Sequence, residues 1–420
     1  MRLRRTEVAV LLVLLFIITI ICGLAVFGGR LYERFNQWTS TRYYETNPPA
    51  ENIFVPQYAG WADDETESIW EAPIQFENDA ETVPDEEILP AQVLLEGVTY
   101  TGQHGKWNYC APANLTMALS FWGVNLSREE VGEGLKPFDD DKNVNPEEMV
   151  VYVESHTSLR AVKRVGGSVY QIKKLLANGY PVLIEKGEII RDTSTGVPNW
   201  AGHYVLAVGY DDAKEVFITR DSYYSPPDYA LDFEMSYTEM KAEWQNFNYV
   251  FVVLFPASDQ EQVIGVLGQY ADEAWAVQQA YQQARSEMLD GQGLMQYFAL
   301  FNLGDNLLAM EDAVSASSAF DEAFQVYGEL ETDHRPWRTM WYRNTPYQAY
   351  YEAGRYQDVI NLAGNTIGST SQPYFEESWY WRGMAYLALG EREKARQDFE
   401  KALVYNENYQ PAQYALNGLE

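Results

Sequence analysis

Positions Val8 to Phe27 (VAVLLVLLFIITIICGLAVF) form an apolar run of twenty residues interrupted only by Thr19. Wound as a helix at 1.5 Å per residue, such a run spans ~30 Å, the thickness of a bilayer hydrocarbon core. Arg2, Arg4 and Arg5 precede it, whereas Arg30 and Arg34 follow and are offset by Glu33. The basic excess on the N-terminal side predicts a cytoplasmic N-terminus and an extracytoplasmic remainder. A cleavable signal peptide is the competing reading. The run exceeds the usual ~7–15 residue signal core, which favours an uncleaved single-pass anchor in the cell membrane over residues 1–30.

The whole chain of 420 residues is long enough for two or three domains at ~150 residues each. Its 46% hydrophobic and 15% aromatic content suffices for packed cores. Asp and Glu number 61 against 30 Lys and Arg, a formal net charge of −31, which disfavours nucleic acid as a partner. Part of that charge is concentrated. Between Tyr43 and Gly105 there are fourteen acidic residues and no Lys or Arg, with prolines at 48, 49, 56, 73, 84 and 90. Residues 31–91 therefore read as a solvated stalk.

Residues 92–257 carry mixed signals. Helices are expected over Pro112–Phe121, from Pro146 onward, and over Val169–Leu176. Strands follow at Pro181–Glu185, His203–Tyr210, Glu215–Asp221 and Tyr249–Phe255, with a helix over Tyr237–Phe247 before the last. Helices first and antiparallel strands later point to an α+β domain. Beyond Ser258 the strand signals stop. Residues 308–323 match 387–402, sharing Ala316/Ala395, Phe320/Phe399 and Ala323/Ala402, and a middle copy covers 349–356. In these copies Gly354 and Gly390 lie 36 residues apart, and Glu311 lies 43 before Gly354. Small residues where paired helices cross, each followed by a large aromatic, suit stacked helical hairpins resembling tetratricopeptide repeats over residues 258–420. An ordinary helical bundle is the alternative.

Two cysteines and four histidines in 420 residues exclude a disulfide framework and disfavour a Cys/His zinc site; no metal or cofactor is expected. Cys22 falls in the apolar run, leaving Cys110 as the sole thiol outside it. Cys110 sits at the start of the helix that begins near Pro112, where free N–H groups and the helix dipole favour a thiolate. A buried structural cysteine is the plain alternative. His203 heads one strand and Asp221 ends the next. A hairpin folded about Asp212 places them directly opposite, where a carboxylate orients an imidazole; a one-residue slip breaks that pairing. Gln103 carries an amide able to donate to an oxyanion. Asn108 either does the same or caps the helix, and His104 is a weaker base.

The sequence Gln-x-x-x-Trp-Asn-x-Cys-x-Pro-Ala (103–113), then Gly-His-Tyr-x-Leu-x-Val-Gly-Tyr-Asp (202–211), then Arg-Asp-Ser-Tyr (220–223), resembles the C39-like branch of papain-like cysteine peptidases. The resemblance implies a papain-like fold over residues 92–257. It also implies Cys110 as nucleophile, His203 as base, Asp221 as orienting acid and Gln103 as oxyanion donor. Ala111 departs from the glycine that usually follows the family's cysteine. No Gly-x-x-x-x-Gly-Lys-Ser/Thr loop is present, so the transporter-fused role of better-known relatives does not carry over. The expected activity is thiol-dependent hydrolysis of a peptide or protein substrate, with the helical repeats binding a protein partner. A catalytically inactive binding module and a cell-wall peptide amidase or transpeptidase are the other readings.

Overall fold

The computed structural model describes residues 87–106, 108–138, 141–191, 198–224, 230–370 and 372–419. The apolar run 8–27 and the stalk up to residue 86 lie outside these. Among the described residues no helix is long and apolar enough to cross a membrane.

Alternating apolar residues build a seven-stranded antiparallel sheet. Its strands are β1 (Gln92–Leu94), β2 (Leu159–Arg164), β3 (Val182–Arg191), β4 (Pro198–Asp211), β5 (Val216–Asp221), β6 (Phe233–Ser236) and β7 (Phe251–Pro256). The order is β2-β7-β3-β4-β5-β6, with β1 paired to the end of β4. Because side chains alternate across a strand, each face buries its own set. Leu183, Leu206 and Val252 pack under α1 (Cys110–Phe121), α2 (Arg128–Leu135) and α3 (Pro146–His156). On the other face Ile184, Ala207 and Val253 pack against α4 (Val169–Ala177), α5 (Tyr237–Trp244) and α6 (Gln260–Leu267). The result is a helix–sheet–helix sandwich with a nearly continuous apolar central strand.

Helix α1 begins two residues earlier than the Pro112 signal suggests, at Cys110 itself, and Pro112 falls in its first turn, where its missing N–H costs nothing. Trp122 closes it and Gly123 follows at φ +76°. Asn108 does not cap it: no side chain caps this helix, and Asn108 stands at φ +56° with its carbonyl accepting from Lys136 Nζ at 2.9 Å.

The remaining elements are helical: α7 (Glu273–Asp290), α8 (Leu294–Ala309), α9 (Ala313–Glu329), α10 (Thr339–Tyr342), α11 (Thr345–Glu352), α12 (Tyr356–Gly368), α13 (Glu376–Ala388), α14 (Arg392–Tyr405) and α15 (Gln410–Asn417). The pairs α8/α9, α11/α12 and α13/α14 turn at Glu311, Gly354 and Gly390, which share the left-handed conformation at φ +64°, +75° and +80°. The helices of a pair approach through a missing side chain. A Cβ on Gly304 would stand 2.6 Å from the Phe320 ring, and one on Gly383 would stand 2.6 Å from Phe399.

These helices are not a detached appendage. Trp200, at the start of β4, is buried in the helical core, stacked on Phe247 (5.6 Å) and Phe298 (5.3 Å). Asn248 and Asn306 exchange amide hydrogen bonds of 2.8 and 3.2 Å across the same junction. Each amide satisfies the other in a buried site, which fixes the register between the sheet and the repeats.

Candidate active site

Four elements converge on Cys110. It is the first residue of α1, so its backbone N–H has no partner within the helix. The chain before it supplies Gln103, β4 supplies His203, and β5 ends at Asp221. The His203 Nε2 lies 2.8 Å from Asp221 Oδ1, with both side chains buried. The thiol hydrogen-bonds the His203 ring. With Nε2 committed to the carboxylate, Nδ1 is the nitrogen left for sulfur.

His203 and Asp221 are not directly opposed, as the expected hairpin had them. The β4–β5 register pairs Asp221 with Val205 and Ala207 with Thr219. The turn is wider than a fold about Asp212 allows, since Asp211 pairs with Val216. Asp211 Oδ1 accepts from Ala213 N at 3.0 Å and Glu215 takes φ +55°, which opens the loop to four residues. The register shift between Ala207 and Gly209 takes one position back. The net offset is two residues, so His203 stays on the same face as Asp221, and the contact is diagonal.

The electrostatics favour an ion pair. Burial alone lowers the basicity of His203, yet the charge and hydrogen bond of Asp221 outweigh it and raise the imidazole to about 10. Burial pushes the Asp221 carboxyl up, but His203, Lys186 and the backbone of Tyr223 hold it below its ordinary value. Burial likewise pushes the Cys110 thiol up; His203, the backbone N–H of Tyr204 and the charge of Lys136 bring it below the usual thiol value. Both shifts act in the direction of a thiolate–imidazolium pair. Asp221 Oδ1 also accepts from Tyr223 N (2.7 Å) and Tyr224 N (3.1 Å), so the carboxylate is held in place from its own loop.

Gln103 meets the site through its neighbours. Its N–H donates to Ser222 O at 2.9 Å and its Oε1 accepts from Ser222 Oγ at 2.7 Å. Asn108 makes no comparable contribution from its side chain. His104 packs its ring 6.0 Å from Tyr223, which in turn lies 6.4 Å from His203. His156 bonds Ser155 and Tyr152 on α3, and His334 faces Glu331 on the surface; neither belongs here.

Several groups around the site carried no sequence signal. Asn114, one turn along α1, bridges Cys110 O and Tyr204 O. Lys186 pairs with His203 across β3–β4 and is itself held by Glu188 (3.1 Å) and Glu243 (2.7 Å). From the helical repeats comes Tyr342. It takes a hydrogen bond from the Gly202 backbone, lies within electrostatic reach of Cys110, and packs its ring 5.6 Å from Trp200. Only a periodic spacing of polar residues would have exposed Asn114 beforehand, and nothing local marks Tyr342.

A model of the Peptidase_C39 like family matches residues 95–252. A tetratricopeptide repeat model matches residues 376–409, the α13/α14 hairpin. The chain thus combines a C39-like peptidase domain with a tetratricopeptide repeat. Among solved structures, that of a candidate C39-like peptidase from Bacillus anthracis is similar at 16% identity and a TM-score of 0.32, over 39% of this chain and 97% of its own. No curated protein matches the chain.

Proposed function

We propose that the protein is a membrane-anchored cysteine peptidase acting outside the cytoplasm, with its N-terminus inside and its helical repeats engaging a protein partner. The observation that carries the catalytic part is the Cys110–His203–Asp221 chain, whose 2.8 Å carboxylate–imidazole bond supports an imidazolium beside a helix-start thiolate. The sulfur attacks the carbonyl carbon of a peptide bond. The carbonyl electrons collect on oxygen, which Cys110 N–H and the Gln103 amide stabilise. Nδ1–H of His203 protonates the departing amine nitrogen as the carbon–nitrogen bond breaks. Neutral His203 then takes a proton from water, whose oxygen attacks the thioester, releasing the acid and restoring the thiolate.

Ala111 fits beside the nucleophile without strain, since it is buried in the α1 core with a helical backbone. The anchor rests on the apolar run 8–27 and the arginines before it. Digestion of peptide and muropeptide libraries by the full chain, with Cys110→Ala as blank, tests the reading. Cleavage of peptide bonds that vanishes in the variant supports it. Release or exchange confined to cell-wall peptides moves the assignment to an amidase or transpeptidase. A Cys110→Ala strain with full biological function reduces the domain to a binding module.

A further inference from the structure

A glutamine amide is nearly symmetric in shape but not in chemistry, since only its nitrogen end donates. If Gln103 is to serve an oxyanion, something must choose which end faces the reaction. Two buried side chains make that choice. Asn114 Nδ2 lies 2.9 Å from Cys110 O and 2.7 Å from Tyr204 O, both pure acceptors, so its nitrogen end is fixed. The same nitrogen donates to Ser222 Oγ at 3.0 Å. Ser222, fully buried, has one hydroxyl proton, and it goes to Gln103 Oε1 at 2.7 Å. Oε1 is therefore the end turned to Ser222, and Nε2 is the end turned away.

The backbone is held as firmly. Gln103 N–H donates to Ser222 O, and the Arg128 guanidinium of α2 grips Gly102 O and His104 O on either side of it. We infer that Ser222 is a positioning residue that presets the Gln103 amide for transition-state charge, with Asn114 setting the polarity of the relay. The inference rests on the cysteine-hydrolase reading above.

Ser222→Ala removes the hydroxyl while Asn114 keeps both carbonyl partners. Two reagents separate the outcomes on the full chain, with Cys110→Ala as blank. Acylation by p-nitrophenyl acetate passes through an oxyanion; alkylation by iodoacetamide does not. Freed rotamers of a glutamine should slow acylation of Ser222→Ala about tenfold, with the rate and pH midpoint of Cys110 alkylation unchanged. Gln103→Ala should slow acylation further, and Gln103→Ala/Ser222→Ala should be no slower than Gln103→Ala alone. Wild-type acylation in Ser222→Ala, equal losses in both reactions, or additive losses in the double variant overturns the inference and leaves the hydrolase reading standing. A wild-type chain that acylates no faster than Cys110→Ala overturns the hydrolase reading and the inference together.

Discussion

Replacing Asp221 by Asn removes a charge and keeps the shape, so it isolates what the carboxylate does for the thiol. The His203 nitrogen and Asp221 oxygen are 2.8 Å apart, which puts the charge centres about 4 Å from each other. At an effective dielectric of about 20 their attraction is about 4 kcal/mol, or about three pK units. That attraction supplies part of the rise of the imidazole from 6.5 to about 10; the hydrogen bonds to Asp221 and Cys110 and the charge of Glu188 add to it against the opposing effect of burial. Without the charge, burial acts unopposed and His203 is neutral at pH 7. The thiol then loses its nearest cation, and burial, which opposes its ionisation, pushes it up. At pH 7 the thiolate fraction falls, while a more basic thiolate reacts somewhat faster. Iodoacetamide labelling of the Cys110 peptide at pH 7, followed by mass spectrometry, should slow about 10–100-fold, with its pH midpoint moved upward from that of wild type. A folded Asp221→Asn protein that labels within twofold of wild type, at the wild-type midpoint, refutes the ion-pair argument. Stability gives a second reading of the same pair. A raised imidazole contributes fully below about 6.5 and loses its contribution as pH rises through about 10; a depressed carboxyl contributes fully above about 3.9 and loses it as pH falls. The melting-temperature deficit of Asp221→Asn should be widest between about pH 4 and 6.5 and shrink toward pH 10.

Three further substitutions test the scaffold. Glu311 occupies at φ +64° the turn position that glycine holds in the other two hairpins, so Glu311→Gly should stabilise the chain by about 1 kcal/mol, read as a higher melting temperature. Gly383→Ala drives a methyl into the Phe399 ring and should cost about 1–3 kcal/mol in a denaturant titration; no loss would mean the α13/α14 crossing relaxes freely. Gly202→Ala places a Cβ 2.8 Å from Phe247 and 2.9 Å from Tyr342, beside His203. It should cost about 1–3 kcal/mol and slow Cys110 alkylation as well, whereas Gly383→Ala should leave alkylation untouched.

The sequence revealed most where residue type alone restricts chemistry. A lone thiol before a Pro-Ala helix signal, a histidine at a strand head and an aspartate at a strand end stand out because few residue types can do their work. The three hairpin turns were visible because Gly354, Gly390 and the phenylalanines recur at fixed spacing. Short edge strands escaped notice: β1 has three residues and β6 four, too few for an alternation to register, and both owe their conformation to the neighbouring strand. Helix α2 was hidden by its polarity, yet its Ser127 capping box with Glu130 is a local signal that a closer reading of starts would find. Tyr342 and Trp200 were illegible for another reason. Their mutual contact joins residues more than a hundred positions apart, and an aromatic looks the same in sequence whether it packs at home or against a neighbouring domain.

The hairpin shows why the site survived a wrong register. Direct opposition of His203 and Asp221 required a turn about Asp212, and the Asp211 side chain instead opens that turn while the register shift near Val208 partly compensates. Either change alone shifts the pairing by an odd number of residues, which on a pleated strand moves His203 to the opposite face from Asp221. Together they shift it by two, which keeps both side chains on one face and leaves a diagonal gap that an imidazole spans. The irregularity at Val208 therefore helps to set the His203–Asp221 contact. Val205, directly opposite Asp221, fills the position the histidine was expected to hold, and its burial shields the carboxylate from water.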